Sequence, residues 1–447
     1  MDIRDGNQET PQLVDWAAPL FVEPLQAIPQ WDKYIEGVRL VEHSPLEGSG
    51  NFGFQTQKQQ TFQLSNINGL VEIEGSFIRQ DCSVIGTTSA VLCAGTDGVY
   101  DRKTLRTSNG LIIENKLNSS EVDTAFSLLE RTPQNLYMNW DNGIQGLASD
   151  LTSSGQNGQI TLTRSATNLN CNLGFSFGKF NKVIHSCVLG PVDIQTEFAN
   201  DKKACMKSTS SSPQLQFNNV RLLARYIDLV PEYREKLKHM EILYNFEAYT
   251  YNTVLWSGTN QQYALRVAAK KCNWLLKKYH VQGDLNRVPT SNCNPYLKKF
   301  VYPDTGGVNY QSVLQYASQT IPQYPSKYDT ELYRMTLESL KLNKHNDTGN
   351  VMTGAQYVIP PLVGLTDAAC ATYSGVPQHL VLYDLGKNGI NTGLNLSENP
   401  LIINEIFSGN APYDGTATAS TLYMDLVCGY SVVARINGYQ NISIATM

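Results

Sequence analysis

The stretch Leu380–Ala445 leaves little room for anything except strands. It reads LVLYDLGKNGINTGLNLSENPLIINEIFSGNAPYDGTATASTLYMDLVCGYSVVARINGYQNISIA. Short apolar β-forming runs stand at Leu380–Tyr383, Leu401–Ile406, Thr421–Val427, Ser431–Ile436 and Ile442–Ala445, divided by Gly, Asn, Asp and Pro turns. The chain stops just after the last run, so that strand is expected to be tied into a sheet rather than frayed. An all-β segment with no catalytic group in it points to a structural or binding role.

The rest of the chain follows the same pattern. Extended segments are expected at Thr61–Leu64, Leu70–Gln80, Ser89–Ala94, Gln159–Arg164, Leu173–Phe177, Lys182–Val188 and Val192–Phe198. Val122–Arg131 has helical spacing and is stopped by Pro133. Gln214–Val230 reads as one long strand, with an offset at Asn218–Asn219 that suggests a bulge. Pro231–Leu243 then reads as a short amphipathic helix with Pro at its start, and a second strand series opens at Phe246–Trp256. That series continues through Tyr263–Val267, Asn273–Val281 and Lys298–Tyr302. Helix is expected within Val308–Ser318 and Asp329–Asn343, with Pro322 and Pro325 between them.

The 447 residues are enough for two or more cores, because single cores stop growing at roughly 250–300 residues. The expected organisation is an extended Pro-rich arm at 1–55, a β domain at 56–230, a connector helix at 231–244 and a second β domain at 245–447. Pro11, Pro19, Pro24, Pro29 and Pro45 break any long helix in the arm, and Trp16, Leu20, Phe21, Leu25 and Trp31 anchor it to its own domain or to a neighbouring chain.

Composition narrows the function classes. The net charge is −5 and no Lys/Arg run exceeds two residues, so a strong direct grip on nucleic acid is not expected. The pairs Lys202–Lys203, Lys270–Lys271 and Lys298–Lys299 read as solvated faces. Nine cysteines, an odd number without C-x-x-C spacing, suit buried thiols in a reducing compartment better than a disulfide framework. Six dispersed histidines support no zinc site, and no cofactor is expected. Neither a signal peptide nor a membrane-spanning helix is expected, so the sequons at Asn118, Asn346, Asn395 and Asn441 read as incidental.

Catalysis finds no support. There is no P-loop, no H-E-x-x-H and no caspase- or papain-like cysteine context, and neither a G-x-S-x-G elbow nor a G-x-G-x-x-G loop is expected. Asp141 and Asp150 lie in a turn-rich polar stretch and read as solvated loop acids; Asp367 has no histidine near it in sequence. His185 reads as a satisfied strand histidine, and Cys171, Cys187 and Cys205 as packing or incidental thiols. No catalytic, cofactor-binding or metal-binding residue is assigned.

An all-β chain in two halves of this length suggests two consecutive antiparallel sandwiches, each an eight-stranded jelly roll. The run from the Gln214–Val230 strand, with Val220, Leu222 and Arg225, through the connector helix into a new strand resembles the junction of double jelly-roll, hexon-like major capsid proteins. Ala317, Ser318, Pro322, Pro325 and Glu331 resemble a second segment of the adenovirus, Polinton and virophage-type members. Asp384, Leu385, Gly393, Leu394 and Asn395 resemble a third, with Gly386 where an acidic residue is common. Gly429–Gly438 is similar to the closing hairpin.

The resemblance implies a capsid protein of the virion, with no chemistry, assembled in the host cytoplasm or nucleus. It implies a homotrimer of six barrels, a pseudo-hexagonal capsomer that tiles an icosahedral shell. Minor capsid or penton proteins would be partners, and the arm would cross to a neighbouring capsomer, an internal membrane or a minor protein. Two other readings stand beside it: a β-sandwich spike or receptor- or glycan-binding protein, and an enzyme.

Overall fold

The computed structural model describes residues 34–48, 50–87, 89–92, 96, 98–130, 160–200, 206–208, 213–256, 260–281, 311–326, 329–339, 380–386, 393–406, 422–438 and 441–447. In the first half the strands are β1 (Ile35–His43), β2 (Gln59–Leu64), β3 (Gly69–Ile85), β4 (Ser89–Leu92), β5 (Tyr100–Thr107), β6 (Ile112–Leu117), β7 (Ile160–Thr163), β8 (Thr167–Asn172), β9 (Val183–Ile184), β10 (Val192–Phe198), β11 (Met206–Ser208) and β12 (Gln214–Leu229). The second half holds β13 (Glu241–Trp256), β14 (Asn260–Leu265), β15 (Cys272–Val281), β16 (Gln311–Tyr316), β17 (Gln319–Ser326), β18 (Leu380–Asp384), β19 (Leu401–Ile406), β20 (Leu422–Asn437) and β21 (Ile442–Thr446). Helices α1 (Ser119–Glu130), α2 (Ser176–Asn181), α3 (Ser186–Leu189), α4 (Pro231–Lys238) and α5 (Asp329–Ser339) lie among them.

Both halves have one topology. In the first, the sheet β1-β12-β3-β8 faces the sheet β2-β10-β5-β6; in the second, β13-β20-β15-β18 faces β14-β19-β16-β17. Numbering the eight principal strands of each half along the chain, the orders are 1-8-3-6 and 2-7-4-5 both times. Two Greek keys closed this way make a jelly roll. The duplication lies in the pairing, and no sequence repeat accompanies it.

Residue alternation makes these sheets. Along β3, Ile78, Gln80, Cys82 and Val84 are buried while Phe77, Arg79, Asp81 and Ser83 are half-buried, the period of two that a strand with one covered face requires. β12 alternates likewise, with Leu215, Phe217, Val220, Leu222 and Ala224 inward. The inward set stays in phase across one extra residue because the β12–β3 register breaks between Asn218 and Arg221, where Asn219 takes φ +50°. This is the offset that the sequence placed at Asn218–Asn219.

Several expectations are corrected. The described part of the arm is structured: Ile35–His43 is β1, paired with β12 from Ile35↔Leu229 to His43↔Leu222. Residues 1–33 lie outside the described residues. Helix α4 ends at Lys238, short of Leu243, because Ile242 and Leu243 are drawn into the β13–β20 ladder opposite Ile436 and Arg435. Leu173–Phe177 and Lys182–Val188, expected as strands, hold the starts of α2 and α3 with only the two-residue β9 between them. Val308–Ser318, expected to contain helix, holds strand β16, whose buried Ser312 and Leu314 alternate against β19. Pro322 and Pro325 sit in β17, the outer strand of its sheet, within the stretch between Ile321 and Ser326 where the register with β16 breaks.

The two cores interlock. Ile242, Tyr244, Phe246, Val432, Ala434 and Ile436 of the second half belong to the first core. In return α1, from the first half, inserts Val122, Ala125 and Leu129 into the second core.

Candidate functional site

The titratable side chains that burial singles out gather in the second jelly roll and at its seam with the first. Lys277 and Lys278 are adjacent on β15, so their side chains leave opposite faces of the sheet. Lys277 points between the two sheets. Its Nζ donates to Glu405 Oε1 of β19 (2.5 Å), Ser312 Oγ of β16 (2.6 Å) and Tyr383 Oη of β18 (3.3 Å). Lys278 points outward, where α1 covers the sheet. Its Nζ donates to Glu121 Oε2 of α1 (2.6 Å) and lies 2.9 Å from Asp425 Oδ2 of β20. His280 Nδ1 donates to that same Asp425 oxygen (2.6 Å), and Thr253 Oγ1 donates to Oδ1 (2.8 Å).

Helix α1 is a two-sided bolt. Residues two apart on a helix do not share a face, and Glu121 and Asp123 divide accordingly. Glu121 faces the second jelly roll, also accepting from Tyr251 Oη (2.9 Å). Asp123 faces its own, held by Lys103 Nζ (2.8 Å) and Lys116 Nζ (2.6 Å). The helix start is pinned by Ser119 Oγ donating to the Tyr100 carbonyl (2.7 Å). Phe126 meets the Trp274 indole edge-on at 5.1 Å, and Tyr249 Oη donates to the Leu117 carbonyl at the end of β6 (3.0 Å). A second contact closes the seam below. His185 Nδ1 lies 2.6 Å from Tyr244 Oη, which also accepts the His185 amide (3.0 Å), and Phe177 packs on Tyr244 at 4.9 Å. The consistent assignment has Tyr244 donating its hydroxyl proton to a neutral imidazole.

The electrostatics are those of a lock. Burial alone would raise Asp425, but the Lys278 ammonium and the His280 ring hold its carboxyl well below the usual range. Burial would lower Lys278, and Asp425 and Glu121 outweigh it, so the ammonium is kept charged above its ordinary range. Burial lowers His185 to about 4. Lys277, Lys278, Glu405 and Asp425 are 0% exposed. Among the described residues no group of three or more His, Cys, Asp or Glu could hold a metal ion.

The residues weighed in the sequence do not converge. Asp141, Asp150, Asp367 and Cys205 lie outside the described residues. His185 is not in a strand; it precedes α3 and serves the seam. Cys171 Sγ accepts from Gln80 Nε2 (3.2 Å) inside the first core. Burial pushes the Cys187 thiol up to about 11, which makes it a poor nucleophile.

Two motif expectations are wrong as sequence statements. Gly174–Gly178 (GFSFG) does fit G-x-S-x-G, and Gly48–Gly53 (GSGNFG) does fit G-x-G-x-x-G. Neither has the setting. The Ser176 and Phe177 amides, at the start of α2, donate to the two Glu114 carboxylate oxygens (2.9 and 2.8 Å), so a carboxylate fills the place an oxyanion would take. Gly48–Gly53 follows β1 without opening a helix; Phe52 there pairs with Phe217.

The remaining motif residues hold the fold. Val220 and Leu222 point into the core, while Arg225 points out and pairs with Glu72 (3.1 Å). Ala317, at φ +51°, and Ser318 make the two-residue turn between β16 and β17, and Glu331 lies in α5. Asp384 Oδ1 accepts the Gly386 amide (2.9 Å), and Leu394 exchanges backbone bonds with Cys272 (2.9 Å each). Gly393 packs so closely on Cys272 that a Cβ would strike its backbone. Gly429 lies inside β20, and the closing turn falls at Gly438, φ +77°. Sequence reading missed Lys277–Lys278 and Glu121. Two lysines in the otherwise apolar strand WLLKKYHV were the available signal.

No family model matches the chain, and no curated protein matches it. Solved structures do match. VP54 of PBCV-1, whose crystal structure was fitted into a reconstruction of the virophage Sputnik, aligns at TM-score 0.59 and 12% identity, covering 93% of this chain and 98% of that one. The mavirus major capsid protein aligns at 0.56 and 9%, covering 91% and 90%. The Faustovirus major capsid protein aligns at 0.55 and 8%, covering 90% of each. With both jelly rolls laid out in the same strand order, this chain has the double jelly-roll fold of those proteins.

Proposed function

We propose that this chain is a major capsid protein, a shell subunit that does its work by assembly rather than catalysis. The observation that carries the reading is the repeated 1-8-3-6 and 2-7-4-5 strand order, combined with an alignment to VP54 over nearly the whole of both chains. A seam fixed by buried ion pairs makes the two barrels one rigid unit, and three such units supply six barrels for a pseudo-hexagonal tile. The division falls at α4, with the first barrel before it and the second after it. Tiles pack into an icosahedral virion shell, with minor capsid or penton proteins as further partners and the N-terminal arm as a contact to them or to an internal membrane. The net charge of −5 suits a shell that does not grip the genome.

Electron microscopy and sedimentation of the purified chain test this. Particles of three times 49.7 kDa with a flat hexagonal outline, about 70–80 Å across for barrels with sheets about 10 Å apart plus loops, are expected. A monomer at every concentration would overturn the reading.

A further inference from the structure

Two thiols meet inside the second barrel. Cys272 opens β15, Cys428 stands on β20, and both are fully buried in the second core. The ladder between the strands places Leu275 opposite Cys428 and Cys272 opposite Tyr430, with the register broken between Cys272 and Trp274. That break is a bulge on the outer face, where Asn273 Nδ2 and Trp274 Nε1 both donate to the Glu247 carboxylate (2.8 and 3.1 Å). Cys272 therefore keeps the inward side that Leu275 and Lys277 share, and lies diagonally across the strand pair from Cys428. The two side chains touch, the Cys428 S–H donating to Cys272 Sγ. Both are free thiols.

We propose that Cys272 and Cys428 form a redox switch, a dithiol in the reduced chain that hydrogen peroxide converts into a disulfide joining β15 to β20. Their roles divide. Cys272 is the attacking thiol: the Cys428 S–H lowers it below the ordinary thiol range, burial opposes this, and the Leu396 amide adds to the lowering. Cys428 is the resolving thiol, held well above its ordinary range by the same hydrogen bond and by burial. The Cys272 sulfur attacks one peroxide oxygen; an S–O bond forms, the O–O bond breaks, and the departing hydroxide leaves as water with the thiol proton. The Cys428 sulfur then attacks the sulfenic acid; the S–S bond forms, the S–O bond breaks, and a second water carries off the Cys428 proton. Two thiols lose two electrons and one peroxide gains them.

Peroxide is small enough to enter through a local opening, and the cover over Cys272 can provide one. Leu394 bonds Cys272 through an isolated bridge, and the Ser397 amide donates to the Ala269 carbonyl (3.2 Å), so this segment can lift without unzipping the β15–β20 ladder. Burial of a second thiol is not enough by itself. Cys82 and Cys171 lie on the paired strands β3 and β8, but Cys82 is opposite Thr167 and Cys171 opposite Ile78, well separated along the ladder and beyond disulfide reach. The Cys272–Cys428 bond closes residues 272–428 into one loop, and loops of about 100 residues or more gain most from a cross-link. A chain made under reducing conditions is thus stapled once it leaves them. The inference does not depend on the capsid reading.

The test uses the full chain, reduced with dithiothreitol, freed of it and exposed to hydrogen peroxide. Remaining thiols are then alkylated, and the protein is digested without reduction and mapped by mass spectrometry. A peptide pair joined through Cys272 and Cys428, two hydrogens lighter than its separate halves, is expected ahead of oxidation at Cys82, Cys171 or Cys187. The melting temperature should rise by about 5–10 °C and return on reduction. Cys428→Ser keeps a donor beside Cys272 and should stop at the sulfenic acid, captured at position 272 by dimedone. The mapping of wild type needs no variant to fold. The inference is overturned if folded wild type yields no linked pair, if the pair forms only after urea has unfolded the chain, or if it forms with no change in melting temperature. A folded Cys428→Ser protein that gives no dimedone adduct at Cys272 overturns the assignment of the attacking thiol.

Discussion

Lys277 and Lys278 are neighbours in the chain and both fully buried, yet one neutralises Glu405 between the sheets and the other neutralises Glu121 and Asp425 across the seam between barrels. A single strand thus carries the ionic anchor of a sandwich and that of a junction. Each lysine is expected to cost far more to remove alone than with its partner. Lys277→Met leaves a buried carboxylate uncompensated and should cost about 3–5 kcal/mol, read as a lowered denaturant midpoint. Lys277→Met with Glu405→Leu should recover most of that, since well-packed apolar groups replace buried pairs at little cost. A double variant no more stable than the single one would refute the pairing.

Lys278→Met should behave differently, because two carboxylates depend on it. The loss is again expected at about 3–5 kcal/mol or above, but it should open the seam as well as the sheet. Hydrogen exchange should rise along α1 in this variant and not in Lys277→Met. Equal α1 protection in both would place Lys278 outside the junction.

Much of this architecture is legible in the sequence, and the omissions have a common cause. The strands β10 and β12, the bulge at Asn218–Asn219 and helix α1 follow from period and punctuation, which are local, whereas the two runs expected at Thr421–Val427 and Ser431–Ile436 are one strand, β20, that passes through Gly429. What Lys278 and Glu121 do is not local, because they lie 157 positions apart. A lysine pair reads as solvated until the helix that covers it is known. The helices at Ser176–Asn181 and Ser186–Leu189 depart from the expected strands for a similar reason. Phe175, Phe177, Val183 and Ile184 are good β-formers, but α2 lies on β3 where Gly178 admits Ile73 at a distance no Cβ would tolerate. Tertiary packing overrode propensity there.

The buried His185 makes the seam sensitive to mild acid. Its folded-state value is lowered to about 4 from 6.5 by burial, so the unfolded chain takes up its proton first as pH falls. Stability from this group is complete above pH 6.5 and is lost between there and pH 4, by about 3 kcal/mol in all. His185→Asn keeps an acceptor near the Tyr244 hydroxyl and cannot be charged. It should flatten the decline in melting temperature between pH 7 and 5, and an identical slope in wild type and variant would exclude His185 as its source.

The buried aspartates act at lower pH. Burial opposes the charge on Asp123 and Asp425, yet Lys103 and Lys116 lower the first and Lys278 and His280 the second. Carboxyls depressed in the folded state contribute stability above the unfolded value, about pH 3.9, which is lost as pH falls below it. Asp425→Asn should therefore be much less stable than wild type at pH 7, with the difference shrinking steadily as pH falls below about 3.9. A constant difference across that range would show that the charge on Asp425 contributes nothing.

Gly429 links the resemblance-bearing end of the chain to the seam. It lies in β20 opposite Trp274 of β15, and the indole occupies the space where a Cβ would project, with indole carbons inside any tolerable contact distance. The same indole donates Nε1 to Glu247 Oε2 (3.1 Å) and receives the edge of Phe126 from α1. Even one methyl group at 429 would therefore move Trp274, and with it the packing of α1. Gly429→Ala should cost about 1–3 kcal/mol through overpacking. If the clash is with the indole, Trp274→Leu should absorb it, so that adding Gly429→Ala to Trp274→Leu costs clearly less than in wild type. Additive losses, measured by urea midpoints on all four proteins of the cycle, would show that Gly429 is needed for its own backbone and not as the floor beneath Trp274.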